Sequence, residues 1–130
     1  MSFTVQLVSP EKVLYEGVAT FVTTRTLGGG DIGFLTGHAP FLGALADWPV
    51  RVQHDDGTES AFACHGGFVQ VDGAKVVILS DVAELAADID VERAQIAKSA
   101  AESALLNNAD DVDAQAALAR AVTRLDVAST

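Results

Sequence analysis

Apolar residues in the first two thirds of the chain follow the period of a β-strand. Phe3, Val5 and Leu7 occupy every second position, so they would lie on one face of an extended segment. The sequences His-Asp-Asp-Gly at residues 54–57 and Asp-Gly at residues 72–73 separate further apolar runs and favour hairpin turns. Many short strands joined by such turns predict an antiparallel sandwich or barrel up to about residue 85.

Beyond residue 87 the composition and the period both change. Alanine becomes dominant, and glycine and proline are absent. The apolar residues now recur with a helical period, which predicts a first helix over residues 91–106 with a cap within residues 88–90. A short turn follows, and Asp110 or Asp111 would cap a second helix.

The two predicted helices carry facing stripes of small or apolar residues. These stripes are Ala94, Ala97, Ala101 and Ala104 on the first helix, and Leu118, Val122 and Leu125 on the second. A short turn between two such stripes predicts an antiparallel helical hairpin. Alanine buries little area, so we expect the hairpin to be held weakly and to be able to move. We therefore divide the chain into a β-sandwich, residues 1–86, and a helical hairpin, residues 87–130.

Composition and charge exclude several classes of partner. Apolar residues make up 49% of the chain, which is enough for a true core, and the net charge is −10. This charge argues against binding to nucleic acid or to an anionic lipid surface. The start of the chain lacks the pattern of a signal peptide, and no apolar window is long enough to span a membrane. We expect a soluble intracellular protein with any membrane role coming through a partner.

The residues that most often perform catalysis or bind metal are scattered. Neighbouring residues of a strand point to opposite faces, so Cys64 and His65 cannot readily ligate one ion or form a nucleophile–base pair. His38, next to an Ala-Pro pair, is more typical of a residue that hydrogen-bonds its own corner. The sequence therefore predicts no catalytic residue and no metal site.

One motif could bind a nucleotide. Asp90 and Arg93 lie one turn apart at the start of the first helix, and Arg120 and Arg124 share a face of the second. If the hairpin folds back, Asp90 could accept a hydrogen bond from an adenine amino group while the arginines pair with phosphates. In the alternative interpretation, Asp90 is only a helix cap and the arginines are solvated or paired with carboxylates.

Four segments together resemble the ε subunit family of F-type ATP synthases over nearly the whole chain. The most specific segment is the Gly-Asp-Ile-Gly-Phe-Leu-Thr-Gly-His-Ala-Pro-Phe-Leu run at residues 30–42. The Gly-Gly-Phe-Val-Gln-Val strand at residues 66–71, the apolar strand at residues 76–81 and the opening residues 5–11 also match the family pattern.

The resemblance implies a sandwich of about ten strands followed by two helices, acting as a non-catalytic rotor subunit of the central stalk. The sandwich would bind the γ subunit and the ring of c subunits, and so couple proton flow to ATP synthesis. The hairpin would rest on the sandwich or extend into the catalytic head of α and β subunits and regulate ATP hydrolysis. Such a protein is a peripheral component on the cytoplasmic face of the bacterial cell membrane.

The resemblance also implies a regulatory MgATP site, since some members bind ATP through an Ile/Leu-Asp-x-x-Arg-Ala motif. Residues 89–94 match this motif, and a Glu stands where ATP-binding members carry one. The predicted binding residues are Glu84, Ile89, Asp90, Arg93, Ala94, Arg120 and Arg124. Two departures concern charge: residues 99–101 are neutral where binding members carry a basic residue, and residues 88–130 hold eight acidic and four basic residues.

The segment of residues 34–45 is the predicted subunit interface. Its candidate contact residues are Phe34, Leu35, His38, Pro40, Phe41 and Leu42. An exposed apolar patch there would favour a rotor subunit over a free-standing nucleotide-binding protein with the hairpin as a lid. A third possibility, an enzyme that uses His38 or Cys64, predicts that alanine at either position abolishes an activity.

Overall fold

The computed structural model describes residues 2–28, 30–35 and 40–129, with the backbone alone at Leu35. The chain forms a β-sandwich followed by two helices, as predicted. The strands are β1 (Phe3–Val8), β2 (Val13–Ala19), β3 (Phe21–Thr26), β4 (Gly30–Leu35), β5 (Phe41–Ala44), β6 (Trp48–Gln53), β7 (Glu59–His65), β8 (Phe68–Asp72), β9 (Lys75–Leu79) and β10 (Val82–Leu85). A 3-10 turn (Ala86–Asp88) leads to α1 (Val91–Asn107) and α2 (Val112–Ala128).

The strands form two sheets of five strands each. The first sheet has the order β2-β1-β9-β8-β5, and the second has the order β10-β7-β6-β3-β4. All neighbours are antiparallel except β1 and β9, which pair in parallel from Thr4 opposite Lys75 to Val8 opposite Leu79. The predicted hairpins at residues 54–57 and 72–73 are present as the β6–β7 and β8–β9 connections.

The core lies between the two sheets and is built from alternate residues of each strand. Phe3, Val5 and Leu7 are buried, and their neighbours in β1 are partly exposed. The same alternation in β8 and β9 buries Val69 and Ile78, which lie opposite each other. The period of two in the sequence thus correctly identified the inward-facing residues of β1.

Strand β7 departs from this alternation because both of its faces are covered. Phe62 and Cys64 point into the sandwich core. Ala61 and Ala63 lie on the outer face and form a second apolar cluster with Val127 of α2. The small alanine side chains let α2 approach the sheet closely, so the hairpin is docked on the outer face of the second sheet.

Both helices begin at aspartate caps. Asp90 Oδ1 accepts a hydrogen bond from the backbone N of Arg93 at 3.0 Å, and Asp111 Oδ1 accepts one from Ala114 at 3.0 Å. The predicted stripe on α2 is only partly right, because Val122 is 43% exposed. The helix packs against α1 on one side and against β6 and β7 on another. Its buried positions therefore do not form one stripe; they are Ala114, Ala121, Thr123 and Val127.

In the part of the chain that the structure describes, neither α1 nor α2 combines the length and the hydropathy that a membrane-spanning helix requires.

Candidate functional site

A pocket of about 390 Å³ lies where β10 and the 3-10 turn meet the two helices. Charged side chains from all four elements surround it. The lining residues are Glu84, Asp88, Asp90, Arg93, Ala94, Ala97 and Arg124. The folded-back hairpin creates this pocket, because Glu84 of β10 and Arg124 of α2 meet only when α2 docks on the sandwich.

Five of the seven predicted nucleotide-binding residues line this one pocket: Glu84, Asp90, Arg93, Ala94 and Arg124. The other two do not. Ile89 is buried in the apolar cluster beneath α2, because its side chain points toward the sandwich. Arg120 precedes Arg124 by one turn, about 6 Å along the helix axis. It therefore lies farther from the 3-10 turn, against which the C-terminal end of α2 packs.

Two lining residues were absent from the predicted set. Ala97 follows Ala94 by three positions on α1 and so shares its face; the helical period alone could have added it. Asp88 belongs to the 3-10 turn, and three residues of 3-10 helix leave no period in a sequence. Its position in the pocket could not be read from the pattern.

Glu84 is the central carboxylate of the pocket. Its Oε1 accepts a hydrogen bond from Arg124 Nε at 2.6 Å and another from His65 Nε2 at 3.0 Å. Burial raises the pKa of Glu84, but the hydrogen bonds from Arg124 and His65 outweigh it and hold the pKa below its usual value. Glu84 is therefore ionised at neutral pH and links β7, β10 and α2.

His65 is the residue that sequence reasoning did not assign to the site. Its side chain is only 4% exposed, and its Nδ1 has no hydrogen-bond partner among the described residues. Burial lowers the pKa of His65, and the Arg124 charge lowers it further, while Glu84 and Asp47 act in the opposite direction. The prediction that Cys64 and His65 face opposite ways is confirmed, because Cys64 lies in the sandwich core.

The hairpin is attached to the sandwich by further polar contacts outside the pocket. Arg51 Nη2 donates to Asp126 Oδ1 at 3.0 Å, and Thr123 Oγ1 donates to the backbone O of Asp47 at 3.0 Å. The exposed ion pair between Arg51 and Asp126 contributes little by itself. The attachment therefore depends on several modest contacts rather than on a large apolar interface. Such an attachment favours reversible dissociation of the hairpin from the sandwich.

The predicted interface segment is only partly at the surface. Phe34 was wrongly assigned to it: this residue is fully buried, because it lies opposite the buried Val22 in the inward-facing register of β4 and β3. Leu35 pairs with Phe21 through its backbone, its side chain is not described, and His38 lies outside the described residues. Pro40 is exposed and Phe41 partly buried, while Leu42 is 71% exposed.

Leu42 belongs to an apolar surface on the outer face of the first sheet, which we call the outer apolar patch. Its members are Val8, Leu42, Phe68, Val77 and Leu79. They line a groove of about 410 Å³ together with Gln70. Phe68 lies directly opposite Leu79, and Gln70 lies between Leu42 and Val77, so the side chains form adjacent rows across three strands. Neither helix packs on this sheet, in contrast to the second.

Cys64 is expected to be unreactive in the folded protein. Its side chain is fully buried, and burial raises the pKa of the thiol to about 12, so the reactive thiolate is absent near neutral pH. We expect iodoacetamide at about pH 8 to leave the native protein unmodified and to label it fully in denaturant, as measured by intact mass. Rapid stoichiometric labelling of the native protein would contradict this burial.

Among residues 2–28, 30–35 and 40–129, no group of three or more His, Cys, Asp or Glu side chains could hold a metal ion. The pocket instead combines guanidinium groups with carboxylates. This arrangement suits an anionic ligand that also carries hydrogen-bond donors.

Comparisons with known proteins cover both parts of the chain. The family model of the ATP synthase Delta/Epsilon chain β-sandwich domain matches residues 2–86, and that of the long alpha-helix domain matches residues 87–129. The ATP synthase epsilon chain of Brevibacillus brevis is 44% identical over 110 residues, covering 85% of this chain and 83% of its own. That of Bacillus velezensis is 43% identical over 127 residues and covers 95% of each chain.

Two solved structures share the fold. A chain in the Euglena gracilis mitochondrial ATP synthase structure of OSCP, F1 and c-ring has a TM-score of 0.79 at 22% identity, covering 98% of this chain and 81% of that one. A chain in the Tetrahymena thermophila mitochondrial ATP synthase central stalk and c-ring has a TM-score of 0.52 at 14% identity, covering 97% and 92%.

Proposed function

This chain belongs to the ATP synthase delta/epsilon chain family, and from this we infer that it is a non-catalytic subunit of the central stalk of a bacterial F-type ATP synthase. It couples proton flow through the c-ring to ATP synthesis and works at the cytoplasmic face of the cell membrane. The structural observation that supports this role best is the outer apolar patch, a surface that suits a protein partner.

The two faces of the sandwich divide the work between assembly and regulation. The second sheet is occupied by the hairpin, whereas the first sheet presents Leu42 and Phe68, which are 71% and 53% exposed. We assign the outer apolar patch to the γ subunit, because burying large apolar side chains provides most of the free energy of a lasting interface. Residues 1–86 then serve assembly with γ and the c-ring, and residues 87–130 serve regulation.

Regulation by the hairpin follows from the way in which it is attached. Its contacts with the sandwich include one small apolar cluster and a few polar pairs, so we expect its release to cost little free energy. The released hairpin could extend toward the catalytic head of α and β subunits. Its eight acidic and four basic residues from position 88 to 130 would oppose insertion beside acidic surfaces, so inhibition should be stronger at higher salt.

The patch is tested by placing a charge within it. We expect Leu42→Asp combined with Phe68→Asp to weaken binding of purified γ subunit at least about tenfold, because two carboxylates would be buried at the interface. Binding is measured by co-purification and by titration. Leu106→Asp is the matched control, since Leu106 is an apolar residue that is 89% exposed at the end of α1. Undiminished γ binding in the patch variant, with folding intact, would contradict the proposal.

A second function, binding of regulatory MgATP, is supported by the pocket. Asp90, Arg93 and Arg124 lie around one volume of about 390 Å³, although they come from two separate helices. Asp90 is at the same time the cap of α1, so the two interpretations of this residue are compatible. Arg124 is paired with Glu84 in this structure, and a phosphate group would compete for it.

The free-standing nucleotide-binding protein is separated from this proposal by the patch experiment. A lone sensor would bind MgATP and would have no use for the outer apolar patch, so charging the patch would leave all its functions intact. The relatives named above are ATP synthase epsilon chains, which does not support that alternative.

A further inference from the structure

One carboxylate oxygen of the sandwich is hydrogen-bonded both to the hairpin and to a neighbouring strand. Glu84 Oε1 accepts hydrogen bonds from Arg124 Nε of α2 at 2.6 Å and from His65 Nε2 of β7 at 3.0 Å. Both donors share this one acceptor atom, so a change in the charge of one donor alters the hydrogen bond of the other. The contact between Glu84 and Arg124 is also a direct link between β10 and α2, and it lines the candidate pocket.

His65 is placed to respond to protons. As a neutral imidazole it donates from Nε2 to Glu84, and its Nδ1 carries a lone pair that accepts no hydrogen bond from any described group. The side chain is 4% exposed, so protonation puts a charge in a site shielded from water. The charged groups that act on it are Glu84 of β10, Arg124 of α2 and Asp47 just before β6.

We propose that His65 is a proton-sensing positioning residue that controls docking of the hairpin through Glu84. Protonated His65 competes with Arg124 for the Glu84 carboxylate, and its positive charge repels the guanidinium of Arg124. Acidification therefore favours release of α2 from the sandwich. Because the candidate pocket exists only in the docked form, acidification also dismantles it. This inference rests on the regulatory role proposed for the hairpin.

The direction of the pH dependence follows from linkage. In the docked form, burial and Arg124 hold the pKa of His65 below its usual value. Release of α2 removes Arg124 and admits water, so the pKa moves back toward the usual histidine value of about 6.5. The released form binds more protons in that range, so docking is strongest above about pH 6.5 and weakens as the pH falls. Each unit of pKa difference changes the docking constant about tenfold.

Docking is measured on the full chain by fluorescence energy transfer between labels at Asp72→Cys on the sandwich and Glu102→Cys on α1. Both positions are exposed, and the buried Cys64 does not compete for label. Between about pH 7.5 and pH 5.5 we expect the docking constant to fall severalfold. In His65→Gln the docking constant should not change over this pH range, because glutamine can donate a hydrogen bond to Glu84 but does not titrate. His54→Gln, the control, should retain the full pH dependence.

A second measurement covers the case in which His65→Gln fails to fold. The His65 pKa is read from the imidazole proton resonances of the unsubstituted chain and of Arg124→Met. We expect the pKa of His65 to lie below that of a free histidine in the unsubstituted chain and to be higher in Arg124→Met. Three results would each overturn the proposal. The first is a docking constant of the unsubstituted chain that does not change with pH, and the second is a folded His65→Gln variant that keeps the pH dependence of the unsubstituted chain. The third is a His65 pKa that is the same in Arg124→Met as in the unsubstituted chain.

These outcomes are independent of the central-stalk role. If the pH dependence is missing while the outer apolar patch still binds γ, only the inference about His65 fails. If the patch variant binds γ normally and docking remains pH-dependent, the assignment of the outer apolar patch to γ fails and the proton response of the isolated chain stands.

Discussion

Replacing Gly67 with alanine is expected to lower the free energy of unfolding by more than about 3 kcal/mol, because the new methyl group has no space. Gly67 has a φ of +113°, and a Cβ built there would lie 2.0 Å from the backbone O of Leu79 and 2.9 Å from Ser80 Cα. Both contacts are backbone, so no side chain can rotate away. Urea unfolding followed by circular dichroism measures the loss.

The surrounding hydrogen bonds prevent the strands from separating to make room. The backbone O of Gly67 accepts from Leu45 N at 2.9 Å, and Phe68 is paired with Leu79. Relief of the clash would require β8 to move away from β9 at the end of the sheet that carries part of the outer apolar patch. The variant should therefore also bind γ less well than its stability alone predicts.

Gly66→Ala provides the control for backbone conformation without the clash. Gly66 also has a positive φ, +73°, but nothing lies within 4 Å of a Cβ placed there. Its substitution should cost only the left-handed backbone penalty of about 1–2 kcal/mol. Equal losses in the two variants would show that the close approach at Gly67 does not constrain the fold.

The sequence could predict those parts of the fold that depend on neighbouring residues. The β6–β7 turn was predicted because an Asp-Asp-Gly sequence supplies the φ of +87° that Gly57 adopts. The α1 start was predicted because Asp90 can cap it. The parallel pairing of β1 with β9 was not predicted. The paired residues are some seventy positions apart, and a local pattern carries no information on which strands meet.

The errors share a physical origin, the coverage of faces. Alternation along β4 places Phe34 on the opposite face from its neighbours, but it does not say which face the other sheet covers. In the structure the covered face is the one that carries Phe34, which is therefore a core residue. In β7, the alanines on the outer face are buried only because α2 lies over them. Coverage is a property of the assembled fold, so it cannot be read from one strand alone.

The candidate site was predictable in part: the helical motifs indicated Asp90, Arg93, Ala94 and Arg124, and the family resemblance added Glu84. The positions of Asp90, Arg93 and Ala94 follow from the helical period, so one motif places all three on the pocket. His65 was missed because its role depends on the docking of α2, which brings Arg124 to the same carboxylate. Arg120 does not line the pocket with Arg124, because sharing a helical face does not ensure the same distance from a site at the end of the helix.

Asp90→Ala is expected to weaken binding of MgATP to the isolated chain at least about tenfold, because the pocket loses a charged acceptor worth roughly 1.5–3 kcal/mol. Isothermal titration calorimetry measures the affinity. The substitution also removes the cap of α1, which costs about 1 kcal/mol of stability, so a general loss of helix could imitate a loss of contact. A second capping aspartate separates the two effects.

Asp111→Ala removes the corresponding cap of α2, where Asp111 accepts from Ala114 N at the same 3.0 Å that Asp90 makes with Arg93 N. Asp111 is not among the residues that line the pocket. Both variants should therefore lose about 1 kcal/mol of stability, while only Asp90→Ala loses MgATP affinity. Parallel losses of affinity would mean that Asp90 acts through the helix alone. If the unsubstituted chain binds no MgATP, the pocket serves hairpin docking, and its carboxylates and guanidinium groups are there to hold one another.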